Sequence, residues 1–230
     1  MLNHARPRQA VVDACASLVR SGVMSSSGHG NFSCRVEPDH LLLTGAGMST
    51  LPRAEDLALV RLDGVVEDGH VLESVAEIIG MHTTVYRMGE AVGAVVHTHS
   101  PGVTAFALAH HPLPCRYEAL LRHGQADDVP VAPWAPRGSP ALLEGITSTL
   151  AAHPAPRALL LANHGLLAFA TTPARAAALV VALEEAARAE LNAAALGGTK
   201  PFPPGALADV QATMRRSPGD GLGQGSRPQP

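Results

Sequence analysis

His97-Thr98-His99 ends a β-branched apolar run over residues 92–96. In a strand, residues two apart point to the same side, so both imidazoles can reach one point. Neutral histidine nitrogens bind a borderline ion such as zinc at about 2.0–2.1 Å. A third histidine, in Asn163-His164-Gly165, directly follows the apolar run 158–162, and the glycine is expected to let the backbone turn beneath the site. Three histidines with an open position form the layout of a catalytic metal centre. Two hydrogen-bonded core histidines would explain an isolated His-x-His equally well; the strand-end position and the Asn-His-Gly partner favour the metal. Glu77 is a lone acid in an otherwise apolar stretch, 74–82. It either sits at a helix start, where the dipole favours it, or is placed for function, and the histidines favour function. His82, five residues on, is either a group behind the site or a packed helix residue.

These residues need elements to position them. Helical spacing of Val11, Val12, Cys15, Leu18 and Val19 predicts a helix over 8–21 with Gly22 as its stop. A small-residue loop, Ser25-Ser26-Ser27-Gly28-His29-Gly30-Asn31, leads into strands at 32–36 and 40–44, followed by a hairpin from 58–62 into 65–67. A helix is predicted over 76–88, a strand over 92–99 and a helix from Pro101 to Leu108. Further strands are expected at 129–132 and 158–162. Thr172-Pro173 reads as an N-cap and first-turn proline opening an alanine-rich helix that runs to Gly197. Residues 1–216 are expected to form one α/β domain, a sheet covered by helices, with a Gly/Pro/Gln/Ser-rich tail over 217–230 that composition marks as disordered.

The chain has 230 residues, 46% of them hydrophobic and 16% charged, enough for one sizeable core and too apolar for a disordered or fibrous class. A net charge of −3 leaves no electrostatic footprint for nucleic acid or an anionic membrane. No apolar stretch reaches the roughly 18–20 residues a membrane span needs, and the polar, basic residues 1–10 are not expected to act as a secretory signal. Three cysteines far apart in sequence exclude a disulfide framework and fit a reducing cytoplasm. Among 17 basic residues only Lys200 is a lysine, in a turn-rich segment ill-suited to a Schiff base, whereas there are 12 histidines.

Residues 27–35, 42–47, 77–86, 94–101 and 160–167, taken in order, resemble the class II aldolase/adducin family, whose enzymes include L-fuculose-1-phosphate aldolase, L-rhamnulose-1-phosphate aldolase and L-ribulose-5-phosphate 4-epimerase. The resemblance implies a single-domain α/β/α fold around a mainly antiparallel central sheet, and a homotetramer with active sites between subunits. It implies that His97, His99 and His164 bind zinc and that Glu77 is the acid/base carboxylate. Asn31, Thr44, Gly45, Ala46 and Gly47 would line the substrate's anionic end. Zinc would then act as a Lewis acid on a hydroxy-ketone, and carbon–carbon cleavage would leave an enediolate to which Glu77 moves a proton.

The chain departs from the pattern in several places. The spacing from Glu77 to His82 is one residue longer than the family's, which makes Glu73 the alternative acid/base. Val75 and Ala76 stand where serines usually bind phosphate, Gly28 and Ala46 where hydroxyls are usual, and Trp134 where an Ala-Pro-Tyr would offer a phenol. The expected function is a cytoplasmic zinc-dependent lyase cleaving a carbon–carbon bond of a ketose phosphate or related hydroxy-ketone, with a sugar phosphate or keto acid as the small-molecule partner. A decarboxylase or dehydratase on the same scaffold is the first alternative, and a non-catalytic adducin-like module the second.

Overall fold

Period-two alternation along the central strands sends successive side chains into two separate apolar layers, and this decides which face carries the site. The computed structural model describes residues 3–48, 50–153 and 156–216, so the 217–230 tail lies outside the described residues. In chain order the elements are α1 (Ala5–Arg20), β1 (Gly30–Glu37), β2 (His40–Thr44), β3 (Leu57–Arg61), β4 (Val66–Asp68), α2 (Ile78–Tyr86), β5 (Ala94–Thr98), α3 (Pro101–Ala109), α4 (Glu118–Arg122), β6 (Val131–Ala132), α5 (Pro140–Ala152), β7 (Ala158–Leu161), β8 (Gly165–Ala170), α6 (Pro173–Ala193) and α7 (Ala206–Arg216). The strands form one open sheet in the order β4-β3-β2-β1-β5-β8-β7-β6, antiparallel throughout except for the β6–β7 pair. The expectation of a mainly antiparallel sheet flanked by helices therefore holds.

Leu42, Val96, Leu166 and Ala168 point into the first layer, against α1, α3 and α6. Leu43, Val95, Leu167 and Phe169 point into the second, against α2 and α5. β5 lies at the centre of both layers: it is hydrogen-bonded on each side, to β1 and to β8, and all five of its residues are buried. Strands buried on both faces read as continuous apolar runs rather than alternating ones. His97 shares its face with Val95 and so belongs to the second layer, where α2 and α5 leave a cavity.

Four elements go beyond the sequence expectations. Residues 165–170 form β8, the second arm of a hairpin with β7. Residues 140–152 form α5, whose Ser139 side chain accepts a hydrogen bond from the Leu142 N–H and whose first residue is Pro140. This is the cap-plus-proline signal that correctly marked α6 at Thr172-Pro173. Helices α4 and α7 are also additional, and the expected strand at 129–132 shrinks to two residues plus an isolated Leu113–Val129 bridge. Among the described residues, no helix is long and apolar enough to cross a membrane.

Candidate metal centre

Sheet register brings the site together. Within the β5 pairings, Asn31 of β1 stands opposite His97 and Leu167 of β8 stands on its other side. His99 lies just past the end of β5, and His164 lies in the β7–β8 turn one residue before β8 begins. That turn is made by Asn163, which adopts the left-handed conformation at φ +56° and accepts a hydrogen bond at Oδ1 from His110 Nε2. Gly165 is needed for a different reason than the expected turn. A Cβ there would fall 2.6 Å from the Thr98 carbonyl oxygen and 2.8 Å from the His99 ring. The glycine admits the close approach of the two histidine-bearing segments.

The rings of His97, His99 and His164 lie with centroids 4.7–5.0 Å apart. Each offers a nitrogen, and the three nitrogens lie within 4.8 Å of one another. His97 Nδ1–H donates to the Leu166 carbonyl at 2.8 Å, which leaves its Nε2 lone pair facing the cluster, 3.1 Å from His99 Nε2. Burial, reinforced by the neighbouring imidazoles, holds His97 well below the usual histidine range. Burial, then His164, His29 and Arg137, lowers His99 to about 4. Burial and Arg137 lower His164 as well. All three are neutral at pH 7, the form that ligates metals. Two nitrogens bound tetrahedrally at about 2.0–2.1 Å stand about 3.3 Å apart, close to the 3.1 Å observed. The donor set and its spacing fit one divalent ion, with His97 oriented by a backbone carbonyl in the manner of metal-ligating histidines generally.

A cavity of about 170 Å³ opens onto the cluster, and Asn31, Ala46, Gly47 and Glu77 contribute to its walls. Thr44 and Gly45 are not part of that lining. The Thr44 hydroxyl is buried and accepts from the Phe32 N–H at 3.0 Å. Gly45 is packed so closely that a Cβ would meet the His70 carbonyl oxygen at 2.1 Å. Glu77 occupies the N-cap position of α2 without a capping hydrogen bond and lines the cavity, whereas Glu73 is exposed on a 3-10 turn outside it. Val75 also reaches the wall. Trp134 does not; it is 60% exposed at the surface.

His82 is packed and is also tied to the site. It is fully buried, and burial lowers it to about 3. Its Nε2–H donates to Asn31 Oδ1 at 2.5 Å, so Nδ1 accepts from the Ser33 hydroxyl at 2.6 Å, which in turn accepts from Tyr86 O–H at 2.9 Å. With Oδ1 occupied, the Asn31 amide presents its NH₂ to the cavity. Two polar lining residues were not singled out by sequence reasoning. His29 stacks on His99 with centroids 5.7 Å apart. Arg137, in the loop before α5, pairs with the Glu77 carboxylate. Its only local signal is its place beside Gly138 and the Ser139-Pro140 helix start.

The family model described as Class II Aldolase and Adducin N-terminal domain matches residues 9–191. An L-fuculose phosphate aldolase of Escherichia coli O6:H1 is 28% identical over 194 residues, which are 84% of this chain and 85% of that one. A methylthioribulose-1-phosphate dehydratase of Marinobacter nauticus is 29% identical over 182 residues, 74% of this chain and 86% of its own. The solved structure of an L-fuculose 1-phosphate aldolase superposes with a TM-score of 0.79 at 23% identity, covering 93% of this chain and 98% of that one. At that identity the structural likeness is one of fold.

Proposed function

The chain belongs to the class II aldolase and adducin family, and from that premise we propose that it is a zinc-dependent lyase that cleaves a carbon–carbon bond of a ketose phosphate or related hydroxy-ketone. The observation that carries this reading is the convergence of three neutral imidazole nitrogens within 4.8 Å at the mouth of a cavity that also holds a carboxylate. An adducin-like module without chemistry has no use for that arrangement.

In this reading His97, His99 and His164 hold the ion. When bound there, zinc supplies Lewis acidity, polarising a carbonyl and offsetting the negative charge that develops on its oxygen as the bond breaks. Glu77 moves the proton: its carboxylate accepts the proton of the hydroxyl that becomes the aldehyde and returns it to the carbon left electron-rich by cleavage. The Asn31 NH₂, aimed by His82, donates to a substrate oxygen. The backbone around Ala46 and Gly47 offers N–H groups to the substrate's far end. A homotetramer belongs to the same proposal. The cavity is smaller than the roughly 300–1,000 Å³ of sites that enclose a ligand, and a wall from a second copy would complete it.

A dehydratase is the second reading, favoured by the Marinobacter relative and by the absence of any tyrosine from the described lining. Metal analysis of the purified protein, with product detection on ketose 1-phosphates, tests both. Cleavage yields a triose phosphate and an aldehyde; dehydration yields one diketone and water. His97→Ala and His164→Ala are each expected to lose metal and turnover together while keeping the fold. Full occupancy in both variants would sink the assignment of the ligands.

A further inference from the structure

Arg137 is the only arginine or lysine lining the cavity among the described residues. Its backbone is fixed from two directions. Gly138 has φ +72°, and a Cβ there would lie 2.9 Å from Glu77 Cβ, so the loop rests directly on the acid. One residue later the Ser139 cap and Pro140 start α5, whose Leu142 also lines the cavity. The guanidinium itself stays 59% exposed, and Glu77 is its only ion-pair partner among the described residues. A half-solvated arginine holding one carboxylate beside a substrate cavity can exchange that carboxylate for another.

We propose that Arg137 is the specificity-determining residue of this site and that it receives a carboxylate carried by the substrate next to its reacting carbonyl. The inference rests on the lyase reading above and deepens it. A guanidinium presents a planar fork of N–H donors that matches a carboxylate, and the Glu77 pairing, made through Nη2 alone, shows that a carboxylate reaches this guanidinium. One cation balances a monoanion. A phosphate dianion wants several donors, and here Gly28 and Val75 offer the cavity no hydroxyl. Substrate and Glu77 compete for the same fork, so arrival of the substrate's carboxylate releases the Glu77 carboxylate into the cavity.

Three donors with the same carbonyl-and-hydroxyl pair and a different third substituent test this: hydroxypyruvate (carboxylate), dihydroxyacetone (neutral) and dihydroxyacetone phosphate (phosphate). With metal-loaded, full-length protein, exchange of the hydroxymethyl hydrogens into deuterium oxide is followed by proton NMR, and hydroxypyruvate binding by calorimetry. The wild type is expected to prefer hydroxypyruvate over both others. Arg137→Gln should lower the hydroxypyruvate-to-dihydroxyacetone ratio of kcat/KM about 10–100-fold, the worth of one charge-assisted pair. Arg137→Lys, which keeps the charge and loses the fork, should fall between. An unchanged ratio in Arg137→Gln overturns the proposal. So does a wild-type preference for the phosphate that Arg137→Gln abolishes, since Arg137 would then read phosphate. If the wild type exchanges none of the three, the lyase reading fails and calorimetry alone decides: a tenfold weaker Kd in Arg137→Gln supports the carboxylate site, and an equal Kd overturns it. Glu77→Gln no longer competes for the fork and should bind hydroxypyruvate several-fold more tightly; binding no tighter than wild type overturns the exchange of partners.

Discussion

Two glutamate–arginine pairs sit on opposite faces of the sheet and have different fates. On the first face, Glu184 of α6 is 1% exposed and accepts the Gly102 N–H at 2.9 Å, the Val103 N–H at 3.0 Å and Arg188 Nε at 2.7 Å. Gly102 makes room for it, since a Cβ there would stand 3.1 Å from both carboxylate oxygens. This carboxylate is saturated, and it anchors the first turn of α3 immediately behind His99. On the second face, Glu77 has Arg137 as its hydrogen-bond partner and faces a cavity. A carboxylate whose acceptor capacity is filled by backbone N–H groups is architecture; one held by a single exchangeable cation is available for chemistry. The saturated pair ties down the first turn of α3, directly behind the strand end from which His97 and His99 project.

The comparison breaks or sharpens first at Glu77. Glu77→Gln keeps the size and loses the proton-accepting charge, so turnover should fall about 10²–10⁴-fold, while the melting temperature moves by only a few degrees. If Glu73→Gln is the inactive variant instead, the contrast is drawn at the wrong residue.

Acid should act next, and mainly through the second face. Burial depresses His82 to about 3 and His99 to about 4, and lowers His97 and His164. Unfolded imidazoles take up protons below about pH 6.5, so between pH 6.5 and about 4 the unfolded state binds more protons than the folded one. Stability of the metal-free protein is therefore fully present above pH 6.5 and falls as the pH drops through that window. At about 1.4 kcal/mol per pKa unit, the loss amounts to several kcal/mol. Melting temperatures of chelator-treated protein at pH 7, 6, 5 and 4.5 measure it, and a flat series would contradict the buried, neutral imidazoles.

The smallest expected effect is on the first face. Glu184→Ala leaves two N–H groups without acceptors, at about 1–3 kcal/mol each when buried. Arg188, 54% exposed, can turn to water. A net loss of about 2–3 kcal/mol should lower the melting temperature by about 5–10 °C, with turnover of metal-loaded protein reduced far less than in Glu77→Gln. Equal losses of turnover in the two variants would erase the distinction between the pairs.

Much of the second face was legible in the chain because its signals are local. The His-x-His spacing, the Asn-His-Gly turn and the apolar runs before them place three imidazoles at strand ends without reference to the rest of the fold. The misses came where local signals were ambiguous or passed over. Residues 158–170 are apolar on both sides of a short turn, so β8 hid behind the run assigned to β7, and a strand buried on both faces has no alternation to betray it. Helix α5 carried a Ser-Pro start equal to the Thr-Pro of α6, and the loop before it, with Arg137, went unread.

The sequence by itself determined which side chains share a strand face and where helices start, because periodicity and capping act within a few residues. It also marked imidazole and carboxylate as the groups placed for chemistry. Only the tertiary structure decided that Asn31 stands opposite His97, that His82 turns the Asn31 amide toward the cavity, and that Arg137 meets Glu77 across 60 residues of chain. Those pairings are set by sheet order, register and the angle at which α2 and α5 lie on the second layer. They depend on contacts between segments that carry no mark of one another along the chain.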